Sequence, residues 1–323
     1  AHNSMVRHLV DQGFEVYMIS WRNPGAEDAE LSMEDYVRLG VIEALDTITR
    51  AVPGARVHAA GYCLGGTLLS IAAALLGREG DDRLASLTLL AAQVDFTEAG
   101  EITLFIDDSQ VAFLEDIMAD QGYLKSDQMA GAFQMLRSND LIWSRTIREY
   151  LLGERGGMND LMAWNADATR MPARMHSEYL RHLFLENRLA LGQYRIGGRA
   201  VSLEDVTLPV FAVGTEKDHV APWHSAWKVN HFFDGPRTFV LTSGGHNAGI
   251  VSEPGHPRRQ YRIGEVHGHA ADADLWRAAH APVEGSWWLA WVDWLRARST
   301  QERPAVGEAL PSLDAAPGRY VFG

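Results

Sequence analysis

The chain has 323 residues, with 29 Lys and Arg against 42 Asp and Glu, a formal charge of −13 at pH 7. That balance argues against a nucleic-acid partner, and no apolar run approaches the ~20 residues needed to span a bilayer. Its 46% apolar residues can fill one large core or two modest ones, and its single cysteine forbids an internal disulfide, which suits a reducing compartment.

Asn3 or Ser4 can cap a first helix that runs to about Gln12, where Gly13 ends it. Residues 15–21 (EVYMISW) are a short apolar run, as expected of a strand buried on both faces. Val37, Val41, Leu45 and Ile48 keep the helical period over 34–51. Residues 56–63 form the next strand, 64–76 the next helix and 86–95 another strand. The interval 96–206 breaks this rhythm with a helical pattern, strongest over 139–152 and 174–191. Strand signals return at 208–214 and 238–242, and a tryptophan-rich helix over about 286–298 closes the globule. The tail from Thr300, with Pro304, Pro311 and Pro317, reads as an extended arm. Strands alternating with helices predict an α/β fold, a mostly parallel sheet with helices on both faces. Its core would be discontinuous, 1–95 with 207–323. The 96–206 segment would be a helical cap over the sheet's C-terminal edge, or a lobe that only adds stability. Trp21, Trp143, Trp164, Trp287, Trp288, Trp291 and Trp294 are read chiefly as core, with an apolar surface for a second subunit or a polymer as the other use.

The segment Gly61-Tyr62-Cys63-Leu64-Gly65-Gly66 joins a strand to a helix. It matches a nucleophile elbow, in which small flanking residues let strand and helix pass closely and leave the reactive side chain exposed above the sheet. A buried structural thiol is the plainer use of a free cysteine, but it leaves the three glycines unexplained. The amide of Leu64, at the helix N-terminus, would be one oxyanion donor. The strand at 208–214 runs into Glu216, Lys217, Asp218 and His219, and the strand at 238–242 runs into Gly244, Gly245 and His246. All three sites therefore follow strand C-termini, in the order nucleophile, acid, histidine found in α/β-hydrolases. His246 would take the thiol proton and Asp218 would hold the imidazole tautomer. Glu216 is a rival acid. His219 could orient a substrate group or cap a turn. His256, His267 and His269 match no metal-ligand spacing, so no metal or other cofactor is expected.

These residues carry a resemblance. The elbow, with cysteine in place of serine, is similar to the catalytic domain of polyhydroxyalkanoate synthases, especially the class I enzymes. So are Ser20-Trp21-Arg22-Asn23-Pro24, Asn139-Asp140-Leu141-Ile142-Trp143, Trp164-Asn165-Ala166-Asp167-Ala168-Thr169, Asp218-His219-Val220-Ala221-Pro222-Trp223, Gly245-His246-Asn247-Ala248-Gly249 and Gly285-Ser286-Trp287-Trp288. The resemblance implies an α/β-hydrolase fold with Cys63, Asp218 and His246 as a triad. It also implies an (R)-3-hydroxyacyl-CoA substrate such as 3-hydroxybutyryl-CoA, a growing polyester chain, a homodimer and residence on cytoplasmic granules. Asn247 departs from the pattern, since an apolar residue is expected after the catalytic histidine. Coenzyme A is polyanionic and the chain acidic, so binding would need a local basic patch, with Arg22, Arg174, Arg181, Arg258 and Arg259 as candidates.

Two other functions fit the same residues: a cysteine hydrolase of esters or lactones, and a granule-binding module without turnover. The chain opens on alanine rather than methionine. In this fold a strand and loop that donate an oxyanion-hole amide precede the first helix. The chain is therefore read as a fragment lacking an N-terminal domain and first strands. A strand missing between 15–21 and 56–63 would leave a gap or a collapsed pairing there, with the first helix loosely packed.

Overall fold

The computed structural model describes residues 2–125, 153, 163–164, 167, 169–299, 314–315 and 319. The helix expected over 139–152 and most of the arm from Thr300 lie outside these residues. So do the resemblance segment 139–143 and most of 164–169.

Six strands build one sheet: β1 (Val57–Tyr62), β2 (Leu84–Leu90), β3 (Val210–Thr215), β4 (Arg237–Thr242), β5 (Gln260–Val266) and β6 (Val283–Glu284), adjacent in that order. The first four are parallel, and β5 and β6 each run antiparallel to the strand before. Every residue of β3 is buried and all but one of β2, as a parallel sheet covered on both faces requires. Register places the site: Tyr62 lies opposite Leu90, Leu90 opposite Val213, and Thr215 opposite Thr242. The C-terminal ends of β1, β3 and β4 thus reach one edge, and the chain beyond each carries Cys63, Asp218 and His246.

The helix Leu64–Glu79 leaves the elbow with Gly66 through Leu76 all buried, and Gly80 ends it at φ 71°. A helix apolar on every side belongs inside the protein. The last helix, Trp287–Arg296, is capped by Ser286, whose hydroxyl accepts from the Trp288 amide at 3.1 Å. Trp287, Trp288, Trp291, Trp294 and Leu295 pack with Phe211, Val213, Val240 and Ile250 in one core cluster. Each indole N–H finds an acceptor: Gly249 O at 3.1 Å, Ile250 O at 2.9 Å, Thr88 Oγ1 at 2.9 Å and Thr238 Oγ1 at 3.1 Å. Core packing and polar anchoring are done by the same side chains.

The strand expected over 15–21 is not formed. No ladder among the described residues includes it, and Tyr17, Met18 and Ile19 are 37%, 70% and 41% exposed. A strand needs a neighbour to pair with, and among the described residues β1 is a terminal strand of the sheet and pairs only with β2. The first helix, Met5–Asp11, is capped by Ser4 but buries no residue fully, with Met5 and Leu9 leaning on the tryptophan cluster. Strands β5 and β6 were not read from the sequence. No helix among the described residues is long and apolar enough to cross a membrane.

Contacts divide the chain into two compact units, one of 20–33 with 101–185, the other of 2–19, 34–100 and 186–323. These bounds differ from the expected 96–206 insertion. Segment 186–206 belongs with the sheet unit, where Leu189, Tyr194, Ile196, Val201 and Leu203 are buried. In the other unit, the helix Asp108–Gln121 meets 173–185 through Arg181, whose guanidinium clasps both oxygens of Glu115 at 2.7 and 2.6 Å.

Trp291 is 2% exposed, so Trp291→Ala should cost about 3–5 kcal/mol in urea unfolding. Leu289→Ala on the same helix, at a side chain 51% exposed, should change stability by less than about 0.5 kcal/mol.

Candidate active site

Cys63 sits between β1 and its helix with φ 52° and ψ −123°, a backbone state few non-glycine residues adopt. Its amide donates to Leu90 O at 2.9 Å, and its carbonyl accepts from the Gly66 and Thr67 amides at 2.9 and 3.2 Å. The flanking glycines are not equivalent. A Cβ on Gly61 would lie 2.5 Å from Gly65 O, and one on Gly66 would lie 2.3 Å from the Ala92 Cβ. A Cβ on Gly65 would meet nothing within 4 Å. Strand and helix therefore touch at Gly61 and Gly66, while Gly65 faces open space. The Leu64 and Gly65 amides, first in the helix, donate to no acceptor among the described residues. They are open to an oxygen that gains negative charge beside Cys63.

Asp218 is held by its own turn. Its Oδ1 accepts from the Val220 and Ala221 amides at 2.9 and 2.8 Å, and its Oδ2 from the Thr215 hydroxyl at 2.8 Å. The side chain is 0% exposed and its Oδ2 meets His246 Nδ1 at 2.8 Å. His246, 16% exposed, also has Cys63 as an electrostatic partner. Burial pulls the imidazole pKa down. The hydrogen bonds to Asp218 and Cys63 and the charges of both outweigh it, pushing the value up to about 10. The three residues predicted from sequence are thus brought together with His246 in the middle. Thr215, a strand-end hydroxyl three residues before the acid, was not singled out from the sequence.

Tyr62 was also missed as more than a spacer. Its ring centroid lies 5.1 Å from that of His246, and its hydroxyl meets Asn247 Oδ1 at 2.5 Å and His246 O at 3.3 Å. Asn247, the departure from the expected apolar residue, therefore has a polar partner on the strand that leads to Cys63.

Other candidates lie apart from the triad's hydrogen bonds. Glu216 pairs with Arg277 at 3.6 Å rather than with His246. His219 is exposed in the turn after Asp218. Arg22 pairs with Glu27 and Asp28 at 2.8 and 2.9 Å, Arg174 with Glu178 at 3.1 Å, and Arg181 with Glu115. All three arginines belong to the other compact unit. Arg258 and Arg259 make no ion pair among the described residues. One Arg259 nitrogen would lie 3.1 Å from a Cβ on Gly244, in the loop that leads to His246. His256, His267 and His269 are scattered on separate partners, Pro257 O, Glu265 and Asp234. No group of three metal-capable side chains occurs among the described residues.

Gly66→Ala should lower stability by about 1–3 kcal/mol, because the new methyl overlaps Ala92. Gly65→Ala, with nothing to strike and helix propensity in its favour, should leave Tm unchanged or raise it. The His246 titration gives a second test. Its folded value lies above the ordinary 6.5, so the group stabilises the fold fully below pH 6.5, and this contribution fades as pH rises through about 10. The advantage of the native chain over His246→Gln in urea unfolding should be larger near about pH 6 than near about pH 11. By NMR, Cys63→Ala should move the His246 titration down, since two of the raising causes disappear.

The family model described as the alpha/beta hydrolase fold matches residues 1–253. The poly(3-hydroxyalkanoate) polymerase subunit PhaC of Rhizobium meliloti (strain 1021) is 43% identical over 320 residues, 98% of this chain and 52% of that protein. The poly(3-hydroxyalkanoate) polymerase of Methylorubrum extorquens is 43% identical over 325 residues, 98% and 53% of the two chains. The PhaC subunit of Cupriavidus necator is 33% identical over 330 residues, 99% and 56%. The chain spans about half the length of the curated relatives it matches. Among solved structures, a Paleococcus ferrophilus monoacylglycerol lipase gives a TM-score of 0.45 at 12% identity, covering 91% of this chain and 88% of that one, a likeness that carries no further argument. The chain belongs to the α/β-hydrolase fold family, and over nearly its whole length it is homologous to part of the poly(3-hydroxyalkanoate) polymerases.

Proposed function

We propose that this chain holds the acyl-transfer centre of a polyester synthase that polymerises (R)-3-hydroxyacyl-CoA, with 3-hydroxybutyryl-CoA as the test substrate. The Cys63 sulfur attacks the thioester carbonyl while His246 takes the thiol proton. The carbonyl oxygen gains charge next to the Leu64 amide. The bond to the CoA sulfur then breaks, and the proton on His246 passes to the departing CoA. In the second half, the hydroxyl of another hydroxyacyl group attacks the Cys63 thioester and gives its proton to His246. An ester forms and the Cys63 sulfur is released and reprotonated. Asp218 keeps Nδ1–H of His246 directed at itself, so that the other ring nitrogen serves the sulfur.

Cysteine suits this cycle because the donor is itself a thioester. Transfer to Cys63 exchanges one thioester for another, so the acyl group remains activated for attack by a hydroxyl. With serine it would become an ordinary ester and a poorer donor. Arg258 and Arg259, without ion-pair partners among the described residues, are the better-placed candidates for the anionic CoA, with His219 as a further contact. With only one cysteine per chain, a relay between two thiols would require two subunits. A homodimer working at the surface of a cytoplasmic polyester granule is part of the same reading.

The observation that carries the proposal is His246 bonded at 2.8 Å to a fully shielded Asp218, with Cys63 close enough to raise the imidazole pKa. The test is incubation with 3-hydroxybutyryl-CoA, following CoA release and the acyl product. The native chain should release CoA and yield polymer. Cys63→Ala should fold normally and lose at least about 10³-fold in rate. Free 3-hydroxy acid without polymer would identify a hydrolase, and undiminished CoA release by Cys63→Ala would remove Cys63 from the nucleophile role.

A further inference from the structure

Two residues that the acyl-transfer cycle does not use are tied to each other across the site. Tyr62 is the last residue of β1 and the neighbour of Cys63. Its place is fixed by the ladder to Leu90 and by the adjacent Cys63 amide, which donates to Leu90 O at 2.9 Å. Asn247 is the neighbour of His246 in the short helix His246–Ile250. The Tyr62 hydroxyl has one proton to give, and the nearest acceptor is Asn247 Oδ1 at 2.5 Å. The Tyr62 ring lies beside the imidazole, with centroids 5.1 Å apart and planes tilted by 33°.

Other restraints on His246 and its helix run to the Asp218 turn and to the final helix. Asp218 grips Nδ1 and sets the rotation of the ring. The indoles of Trp287 and Trp288 hold Gly249 O and Ile250 O, at the far end of the five-residue helix. Among the described hydrogen bonds, those of the Tyr62 hydroxyl tie the backbone around His246 to the strand that carries Cys63. We propose that Tyr62 and Asn247 form a positioning pair that sets the separation of the Cys63 sulfur and the His246 imidazole. The proposal rests on the reading of Cys63 as nucleophile and His246 as base, and it adds the device that keeps them in register. Neither residue touches the reacting atoms in this scheme. Burial, with the nearby Cys63 and Asp218 charges, pushes the Tyr62 phenol up, so it remains a donor through the working pH range.

Misplacement of reacting groups by a fraction of an ångström to 1 Å costs about 10- to 100-fold in rate. The experiment is a double-mutant cycle of Tyr62→Phe, Asn247→Ala and the two combined. Tyr62→Phe removes one oxygen, and melting temperatures show that each variant is folded. Two rates are read. One is single-turnover CoA release from 3-hydroxybutyryl-CoA. The other is alkylation by iodoacetamide at neutral pH, which reports on Cys63 alone because the chain has 1 cysteine. Each single substitution should slow both rates about 10-fold with KM changed less than about 2-fold. The double variant should be no more than about 2-fold slower than either single, since both remove the same contact.

Effects that multiply in the double variant would overturn the pair, as would a change confined to KM or unaltered rates in both assays. Should the native chain release no CoA, the acyl-transfer reading would fail on that assay, while the alkylation cycle would still decide whether Tyr62 and Asn247 act together on Cys63.

Discussion

The turn at Cys63 is the constraint on which the rest depends. A strand must become a helix within one residue, and that residue must take a left-handed φ of 52°. Such a state costs of order 1–3 kcal/mol unless its surroundings impose it. Here they do. The Cys63 amide is bound to Leu90 O on the next strand, and its carbonyl takes two helix amides. Helix and strand approach so closely that Gly61 and Gly66 have no room for a methyl group. The buried helix that follows, Leu64–Glu79, gives the turn a rigid base. The same geometry that strains Cys63 leaves it only partly buried and the first helix amides open beside it.

Everything else in the site is arranged to meet that sulfur. Parallel register brings β3 and β4 to the same edge as β1, and a further polar chain lies beneath. The Thr67 hydroxyl, one turn into the elbow helix, donates to Gln93 O at 2.7 Å, and the Gln93 amide donates to Ser225 Oγ at 3.0 Å. Ser225 lies in the helix Trp223–Trp227, just after the Asp218 turn. All three side chains are buried, at 2%, 7% and 0% exposure, so the bonds they make are not traded for water. The Cys63 helix and the helix after Asp218 are thereby joined, as the Trp287 and Trp288 indoles join the His246 helix to the final one.

How much of this could be read from the sequence followed from how local each signal is. The elbow was legible because its glycines and its strand and helix patterns are contiguous. Asp218 and His246 were legible because each follows an apolar strand. The equivalence of Gly61, Gly65 and Gly66 was not a safe inference, since only the three-dimensional approach of Ala92 and Gly65 O tells which of them is needed. Residues 15–21 have the composition of a strand and yet pair with nothing described, because pairing is a property of two segments and composition of one. Strand β5 escaped notice for the opposite reason. Its residues Gln260–Val266 are largely half-exposed, with Glu265 exposed, and Gly264 gives way to the His280 ring. Asn247 looked out of place in the sequence because its partner, Tyr62, is 185 residues away.

The electrostatics of the site follow from its saturation. A carboxylate offers about four acceptor positions, and Asp218 receives four donors: two amides, one hydroxyl and His246. It therefore has little freedom to turn, and the imidazole proton it faces is confined to Nδ1. Burial works against any charge on His246, and it is the largest single influence on that ring. The cationic form is favoured only because two partners act together, the fixed carboxylate on one side and the Cys63 sulfur on the other. A proton taken from the thiol thus enters a ring already prepared to hold it. In the proposed cycle, acylation of Cys63 would remove one of those partners while burial remains, tipping the balance toward releasing the proton. That imbalance favours the order of the proposed cycle: His246 would take the proton as Cys63 attacks, and yield it to the departing CoA once Cys63 is acylated.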